Sequence, residues 1–186
     1  MISTGGSDGD FDILRVGCFL FDTEGIPDDD SKDSGTFSLF GTAIADTLSQ
    51  TVRMTKSAPA SDIELAATDF QNRVHTMQSD TSIAFGSFSA SGYNDFALNA
   101  AGLTSVQLDG VTKFGCECLA DNENDPPDHA SETTAYVSIK FADQSGDTND
   151  PKLVVVHSVS AAVAWSAAQP RGSYQPALIS TGVIAY

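Results

Sequence analysis

Nucleophilic catalysis would need a Ser or Cys side chain, a His and a carboxylate brought together in space. The chain has three histidines, His75, His129 and His157. None of them lies in a recognisable catalytic motif such as G-x-S-x-G or H-E-x-x-H, and the sequence has no glycine-rich phosphate-binding loop. His157 ends a run of strand-forming residues, where it is most simply a strand-edge side chain. We therefore expect that the protein is not an enzyme.

Two acidic segments carry the oxygen donors that Ca²⁺ prefers, and this ion takes about six to eight oxygen ligands. The candidate ligands are Asp121, Glu123 and Asp125 in the first segment, and Asp143, Ser145, Asp147 and Asn149 in the second. The second set alternates along the chain, but Gly146 does not stand where an EF-hand loop needs its glycine. The other interpretation is that Asp, Asn and Gly form ordinary turns on an acidic surface. We expect no cofactor, with Ca²⁺ as the alternative, and both interpretations of these segments stay open.

The three cysteines are Cys18, Cys116 and Cys118. The C-x-C pair offers too few ligands for a structural zinc site. Residues two apart in a strand point the same way, so Cys116 and Cys118 should share one face with Phe114. The simplest interpretation is that they are small buried apolar side chains. A disulfide from Cys18 to one of them is the alternative.

Aromatic side chains are the candidates for sugar binding, because exposed ring faces can contact the apolar C–H surface of a glycan. Tyr93 and Tyr136 are the two body residues that fit this role. Strand alternation places Tyr136 on an outer face. Most of the 11 Phe residues should lie in the core instead.

Charge is sharply segregated along the chain. All 25 acidic residues lie in the first 158 residues, whereas residues 159–186 contain no Asp, Glu or Lys and a single Arg, Arg171. We therefore predict an acidic domain over residues 1–158 and an apolar C-terminal assembly arm over residues 159–186. Left in water, the arm would expose aliphatic and aromatic surface, so it should be covered by its own domain or by a neighbouring subunit. The residues expected to carry this role are Val163, Trp165, Tyr174, Leu178, Ile179, Val183, Ile184 and Tyr186.

The formal net charge of −16 argues against nucleic acid and anionic membrane as partners, because both would repel the body. No apolar run approaches the roughly 20 residues of a membrane-spanning helix. The first residues lack both a basic n-region and an apolar h-region, so we expect no secretory signal.

Most of the body reads as short strands separated by Gly, Pro, Asp and Ser. The predicted strands are residues 12–22, 36–45, 50–57, 82–89, 93–99, 111–120, 134–142 and 152–158, with a loop over residues 25–35. Ser61 and Glu64 have the spacing of a capping box, which predicts a short helix ending near residues 70–74. Asn99 should cap a second short helix over residues 100–106. The predicted fold is all-β, a two-sheet β-sandwich of the jelly-roll type with two short helices in connections and an extended C-terminal arm.

An ordered series of segments resembles the DNRLRE-like β-sandwich modules, which are relatives of carbohydrate-binding jelly rolls. The segments are residues 93–99 (YNDFALN), 110–115 (GVTKFG), 141–143 (FAD) and 150–155 (DPKLVV), with residues 19–23 (FLFDT) and 36–39 (TFSL) similar to the early strands. The resemblance covers roughly residues 18–157 and rests on core and turn residues, so it implies a fold more than a function. Such modules occur in secreted bacterial proteins and among environmental phage structural proteins.

The preferred hypothesis is a non-enzymatic virion structural protein, such as a capsid-decoration or fibre protein on the virion surface. It would form a homo-oligomer through its arm and contact other virion proteins. One alternative is a carbohydrate-binding or adhesion module with surface glycans as partners. The other is a subunit of an extracellular filament in which the arm acts as a donor strand.

Overall fold

Two antiparallel sheets make up the fold in the computed structural model, which describes residues 2–4, 10–128, 134–142, 148–159 and 181–185. The strands within these ranges are β1 (Ile2–Thr4), β2 (Phe11–Leu14), β3 (Gly17–Asp22), β4 (Asp30–Asp46), β5 (Thr51–Ser57), β6 (Arg73–Met77), β7 (Ile83–Ala84), β8 (Tyr93–Ala97), β9 (Val111–Cys118), β10 (Thr134–Ile139), β11 (Lys152–Val159) and β12 (Thr181–Ala185). The helices are α1 (Ala100–Ser105) and α2 (Leu119–Glu123), with 3₁₀ turns at Ala67–Gln71 and Phe85–Ser87. None of the helices in the described ranges has the length and apolar character needed to cross a membrane.

The seven-stranded sheet has the order β12-β11-β4-β10-β1-β2, and β8 pairs with β4 beside this path. The five-stranded sheet has the order β3-β9-β5-β6, and β7 pairs with β5. The predicted all-β, two-sheet architecture is therefore confirmed. The sheet faces pack against one another through alternate side chains of their strands, as in other sandwiches.

β4 is the longest strand, and it changes partners along its length. Its residues Asp30 to Ser38 pair with β11, Thr36 to Phe40 pair with β8, and Gly41 to Asp46 pair with β10. The sequence predicted only residues 36–45 as strand and placed residues 25–35 in a loop. The second half of that loop is strand instead, because the ladder to β11 outweighs the turn propensity of its Asp, Ser and Gly residues.

The predicted strand over residues 12–22 is divided between the two sheets. β2 belongs to the seven-stranded sheet and β3 to the five-stranded sheet, with Arg15 and Val16 at the crossing. The prediction of a single uninterrupted strand over residues 12–22 is therefore wrong. The crossing brings both sheets together at this side of the sandwich, where strands commonly pass from one sheet to the other.

Of the two predicted helices, the one capped by Asn99 is confirmed. Its side-chain Oδ1 accepts a hydrogen bond from Gly102 N at 2.9 Å at the start of α1. The backbone of Gly102 lies so close to that of Gln78 that only glycine fits. A Cβ at position 102 would lie 2.2 Å from the carbonyl oxygen of Gln78. The sequence missed α2, which follows β9 directly and ends at Asn124 in the left-handed conformation, with φ 50°.

The helix predicted from Ser61 is wrong, although its capping interaction forms. Ser61 Oγ accepts hydrogen bonds from the backbone N–H groups of Ile63 and Glu64, both at 3.2 Å, but no helix follows. The segment has a single 3₁₀ turn at Ala67–Gln71. Ile63 is 87% exposed, so the segment has no apolar face packed on the body to stabilise a helix nucleus.

The strand predicted over residues 82–89 is also mostly wrong. Only Ile83–Ala84 is strand, and the following turn at Phe85–Ser87 buries Phe85 and Phe88 in the core. Two large apolar residues three apart suit such a turn, because side chains at i and i+3 of a 3₁₀ helix project to the same side.

Phe37 of β4 lies at the centre of the core and is completely buried. Its ring contacts four other Phe rings, with centroid distances of 5.1 Å to Phe19, 5.8 Å to Phe21, 6.2 Å to Phe96 and 6.0 Å to Phe114. Phe19, Phe21 and Phe114 come from the five-stranded sheet, whereas Phe96 comes from β8 beside β4. One side chain thus joins both sheets.

We expect Phe37→Ala to lower the free energy of unfolding by about 3–5 kcal/mol, since it removes a buried ring and leaves a cavity. Phe70→Ala is the matched control, because Phe70 is 41% exposed and its ring contacts only the Arg73 guanidinium among the ring contacts of the described residues. That change should cost about 1 kcal/mol or less. Urea denaturation followed by circular dichroism measures both, and equal losses would contradict the central role of Phe37.

Candidate functional site

The C-terminal strand β12 forms one edge of the seven-stranded sheet. It pairs antiparallel with β11 over five residues, from Val154 opposite Ala185 to Ser158 opposite Thr181. β11 pairs with β4 along its other side, so β12 covers the edge that β11 would otherwise present. An uncovered strand edge is a template for pairing with another chain. The strand β12 is therefore the candidate assembly element.

Two of the predicted arm residues, Val183 and Ile184, lie in β12, opposite Val156 and Val155 respectively. The other six lie outside the described residues: Val163, Trp165, Tyr174, Leu178, Ile179 and Tyr186. Within the described residues, the arm thus contacts its own domain by backbone pairing. The sequence had left open whether it docks on its own chain or on a neighbour.

A second feature of interest is a polar cluster on the outer face of the five-stranded sheet. Its centre is Glu117 of β9. Strand alternation places Glu117 on the face opposite Cys116 and Cys118, yet it is only 4% exposed. Its carboxylate accepts hydrogen bonds from His75 Nδ1 at 3.0 Å and from Asn122 Nδ2 at 2.6 Å.

Arg73 of β6 pairs with two carboxylates of the cluster. Its Nη1 lies 3.3 Å from Glu117 Oε2 and also forms a close ion pair with Asp121 Oδ2 of α2. The side chains of Glu117 and Asp121 are 1% and 6% exposed, so both carboxylates depend on this one guanidinium. A buried charge is tolerated only when it is paired and hydrogen-bonded.

Arg53 of β5 makes the third link between α2 and the sheet. Its Nη2 lies 2.8 Å from Glu123 Oε1, and its Nη1 donates to Asn122 Oδ1. Asn122 in turn donates to the backbone oxygen of His75 at 2.9 Å. These contacts hold α2 on β5, β6 and β9. One sequence signal could have found them, since Arg53 and Arg73 are two of only nine basic residues in an acidic chain.

The first calcium set receives no support from this arrangement. Asp121 pairs with Arg73 and Glu123 pairs with Arg53, so two of the three predicted ligands already have cationic partners. Asp125 follows α2 on the exposed surface. In the described part of the chain, no three His, Cys, Asp or Glu side chains are grouped so that they could hold a metal ion. Of the second set, Asp143, Ser145 and Asp147 lie outside the described residues, and only Asn149 lies within them.

The histidines in the described residues are both paired with carboxylates. His75 Nδ1 lies 3.0 Å from Glu117 Oε1, and about half of the His75 side chain is exposed. His157 Nδ1 lies 2.5 Å from Asp30 Oδ2, and both of these side chains are buried. The sequence predicted His157 as a strand-edge side chain. It is only 7% exposed, so its side chain points inward instead. In these ranges, neither ring nitrogen of either histidine hydrogen-bonds to a Ser or Cys side chain. His129 lies outside the described residues.

All three cysteines are free thiols. Phe114, Cys116 and Cys118 face the core together, as alternation predicted. Cys18 lies opposite Gly115 and therefore points to the other face of the sheet, where its Sγ is 3.1 Å from Ser57 Oγ. Opposite directions exclude the alternative disulfide between Cys18 and either residue of the pair in this geometry. Burial raises the pKa of all three thiols, that of Cys116 to about 11.

The two tyrosines proposed for glycan contact have different surroundings. The Tyr93 ring is covered by Lys152 Nζ at 3.9 Å from its centroid and packs edge-on against Phe40 at 5.2 Å. Its hydroxyl donates to the backbone oxygen of Asp150 at 3.1 Å. One face of the Tyr93 ring is therefore covered by Lys152. Tyr136 of β10 is partly buried and lies opposite Ala45 of β4.

Comparisons with protein-family models, with curated proteins and with solved structures find no significant match to this chain. The resemblance to DNRLRE-like modules accordingly stays a prediction from residues.

We predict that Arg73→Met lowers the free energy of unfolding by about 3–5 kcal/mol, because it leaves two buried carboxylates without their cation. Arg53→Met is the control of equal size. Its carboxylate partner Glu123 is 50% exposed, so this loss should stay near 1 kcal/mol. Chemical denaturation at neutral pH measures both. If the two variants lose the same stability, the cluster does not depend on Arg73 as described.

The thiol of Cys116 should make the protein less stable in alkaline solution. Its pKa rises from 9.0 to about 11 on folding, so the unfolded thiol ionises first as the pH increases. Its stabilising contribution is complete below pH 9.0 and is lost as the pH approaches about 11. Urea unfolding across this range should show a decline that is smaller in Cys116→Ala by up to about 2 kcal/mol. An identical decline in both proteins would exclude this contribution.

Proposed function

We propose that the protein is a non-enzymatic structural module that assembles with copies of itself through its C-terminal strand. The observation that carries the proposal is the pairing of β12 with the edge of β11. Strand addition of this kind draws its affinity from main-chain hydrogen bonds. Those bonds are the same whether β12 comes from its own chain or from a neighbour, so a strand that covers an edge within one chain can also link two chains.

The connection between β11 and β12 is long enough for exchange. Residues 160–180 separate the two strands, and a fully extended segment of that length spans roughly 70 Å. That reach exceeds the radius of a domain of this size. β12 could therefore pair with β11 of an adjacent copy without moving the body of its own chain.

The acidic body limits where such exchange occurs. The net charge of −16 makes free copies repel one another, and this repulsion keeps the body soluble and monomeric at low concentration. Exchange is favoured where copies are held close together, as on a particle or in a filament. We place the protein on the virion surface, as a capsid-decoration or fibre protein in contact with other virion proteins. The resemblance to modules of phage structural proteins supports this location.

Two other functions fit part of the same observations. Strand donation to a neighbouring edge also suits a subunit of an extracellular filament. The proteins that co-purify with the intact assembly distinguish a filament subunit from a virion protein. A carbohydrate-binding or adhesion module would use Tyr136 rather than Tyr93, because the Tyr93 ring face is already covered. Glycan-array binding that is lost in Tyr136→Ala and kept in Tyr93→Ala would favour that function.

Exchange between chains can be trapped by a disulfide between two variants that each carry one introduced cysteine, with Cys18, Cys116 and Cys118 replaced by Ala so that no native thiol competes. Val156 and Val183 are register partners, so a Val156→Cys chain mixed with a Val183→Cys chain can be linked only if β12 of one pairs with β11 of the other. We expect a covalent dimer whose yield rises with protein concentration and with salt, which screens the acidic bodies. The readout is a non-reducing gel after mild oxidation at high protein concentration.

The control mixture combines Ser158→Cys with Ala185→Cys, which the register places four residues apart. It should give little dimer. A chain truncated after Ser158 should lose the oligomeric mass and particle incorporation of the full chain. No dimer from the matched pair at any concentration, together with unchanged mass after truncation, would reject assembly through β12.

A further inference from the structure

Large exposed apolar side chains are concentrated in one short segment. Four of the six such side chains among the described residues are Ile63, Leu65, Phe70 and Val74, with exposed fractions from 39% to 87%. We propose that these four residues, the exposed apolar patch, bind residues 160–180 of a second copy of this chain. The inference rests on the proposed self-assembly but not on exchange of β12, which stays paired with its own β11 in this contact.

The loop between β5 and β6 carries most of the patch and is held in a defined shape. The backbone N–H of Ala58 donates to the carbonyl oxygen of Asn72 at 2.9 Å, which closes the loop at its base. Within it, the Asp69 carboxylate accepts hydrogen bonds from the backbone N–H groups of Ala60 and Ala66, at 3.2 and 2.8 Å. Compact surface loops with closed ends are frequently functional. The apolar side chains of this loop therefore project from a formed surface that is ready to bind.

The fold separates the patch from the arm. Thr36 of β4 pairs with Val154 of β11 and with Ala97 of β8, so β11 and β8 lie on opposite sides of β4. β12 lies beyond β11. On the other side, the carbonyl oxygen of Met77, at the end of β6, accepts a hydrogen bond from Asn99, just after β8. The patch beside β6 and the arm that leaves β11 are thus two different surfaces, and a contact between them is heterologous and can repeat from copy to copy.

Residues 160–180 are long enough to make this contact while β12 stays in place. Ser158 and Thr181 are register partners, so the segment leaves the body and returns to it at one point. A chain of 21 residues that returns to its start reaches at most about 35 Å from that point. A body of this size has a radius of gyration of about 15 Å. The segment can therefore extend past its own body to a neighbouring copy.

Charge indicates which part of a second copy fits the patch. The loop contains Asp62, Glu64 and Asp69 and no Lys or Arg, so a second loop of the same kind would repel it. Residues 160–180 contain no acidic residue and one cation, Arg171. Every stretch of that length before residue 151 contains at least one Asp or Glu. The arm is therefore the part of a neighbour that meets the patch without like charges.

The arm also supplies apolar side chains to cover the patch. Desolvated aromatic and aliphatic side chains at the centre of an interface provide most of its affinity. The Phe70 ring already has the Arg73 guanidinium over one face, at 4.3 Å from its centroid. The open positions of the patch are therefore Ile63 and Leu65, which are 87% and 53% exposed. The arm residues with large apolar side chains in this segment are Val163, Trp165, Tyr174, Leu178 and Ile179.

A mixing experiment with two variants of the full chain tests the proposal. The patch variant carries Ile63→Ser and Leu65→Ser and keeps residues 160–180. In the linker variant, a Gly/Ser linker of equal length replaces residues 160–180, so the patch and the tether to β12 are kept. Wild-type mass in sedimentation velocity should rise with concentration, and each variant alone should need at least about tenfold more protein for the same rise. An equimolar mixture should form a heterodimer, because one variant supplies the arm and the other supplies the patch.

The matched control is Ile63→Leu combined with Leu65→Ile, which keeps the apolar surface and should associate like the wild type. The patch variant and this control should keep the wild-type melting temperature, because both side chains are exposed. A lost association can then be assigned to the patch and not to unfolding.

Three results would overturn the proposal. The first is a wild type that stays monomeric at every concentration, and the second is a patch variant that associates like the wild type. The third is a mixture without heterodimer, which would place the arm on its own chain or join like patches. The covalent dimer of the Val156→Cys and Val183→Cys chains reports β12 exchange separately. A covalent dimer without the heterodimer rejects the patch contact alone, and the reverse result rejects β12 exchange alone.

Discussion

The contact of the Phe37 ring with four other Phe rings is the interaction on which the rest of the structure depends. Phe37 lies in β4, and β4 carries β8, β10 and β11 as direct partners. β12 is attached to the body only through β11. The position of β12, the candidate assembly strand, is therefore fixed, through two ladders of backbone hydrogen bonds, by the side chain that joins the two sheets. Hydrophobic burial holds the two sheets together, and the backbone pairing that the proposed function would use extends from them.

The few cations of this acidic chain are used to hold its own segments together. Arg73 holds α2 and β9, Arg53 holds α2, Lys113 pairs with Asp62 and donates to the Pro59 oxygen, and Lys32 donates to the Val106 oxygen. Much of the positive charge thus forms contacts within the body, whereas the 25 acidic residues determine the electrostatic field around the body. Copies of such a body attract one another poorly by charge. An assembly contact made of main-chain hydrogen bonds avoids this difficulty, because it needs no complementary charges.

The sequence predicted the parts of the fold that depend on local rules. The cap at Asn99 and the inward face of Phe114 and Cys118 follow from hydrogen-bonding chemistry and strand alternation, and both are confirmed. The failures arise where distant contacts decide. Ser61 makes its capping bonds without a helix, because Ile63 and Leu65 of that segment do not pack on the body. β4 extends back to Asp30 because β11 lies beside it. The buried state of Glu117 could not be read from alternation, which gives a direction but not what covers it. The apolar arm was visible in the sequence, but its pairing partner was not.

β4 divides the sandwich into two halves with different properties. Around Phe37 and Leu39 the space is filled, and this half supports β11 and β12. Around β10 the space is not filled, and this half contains an open cavity of about 550 Å³ among the described residues. Pairing of β12 in trans replaces bonds that already exist in cis, so it gains little free energy for an isolated pair of chains. Because β12 is covalently connected to its own β11, the cis strand has an effective concentration, which for linked modules is on the order of millimolar. Exchange between chains can therefore compete only where copies are packed at a similar density, and such packing is found on a particle surface or along a filament rather than among free domains.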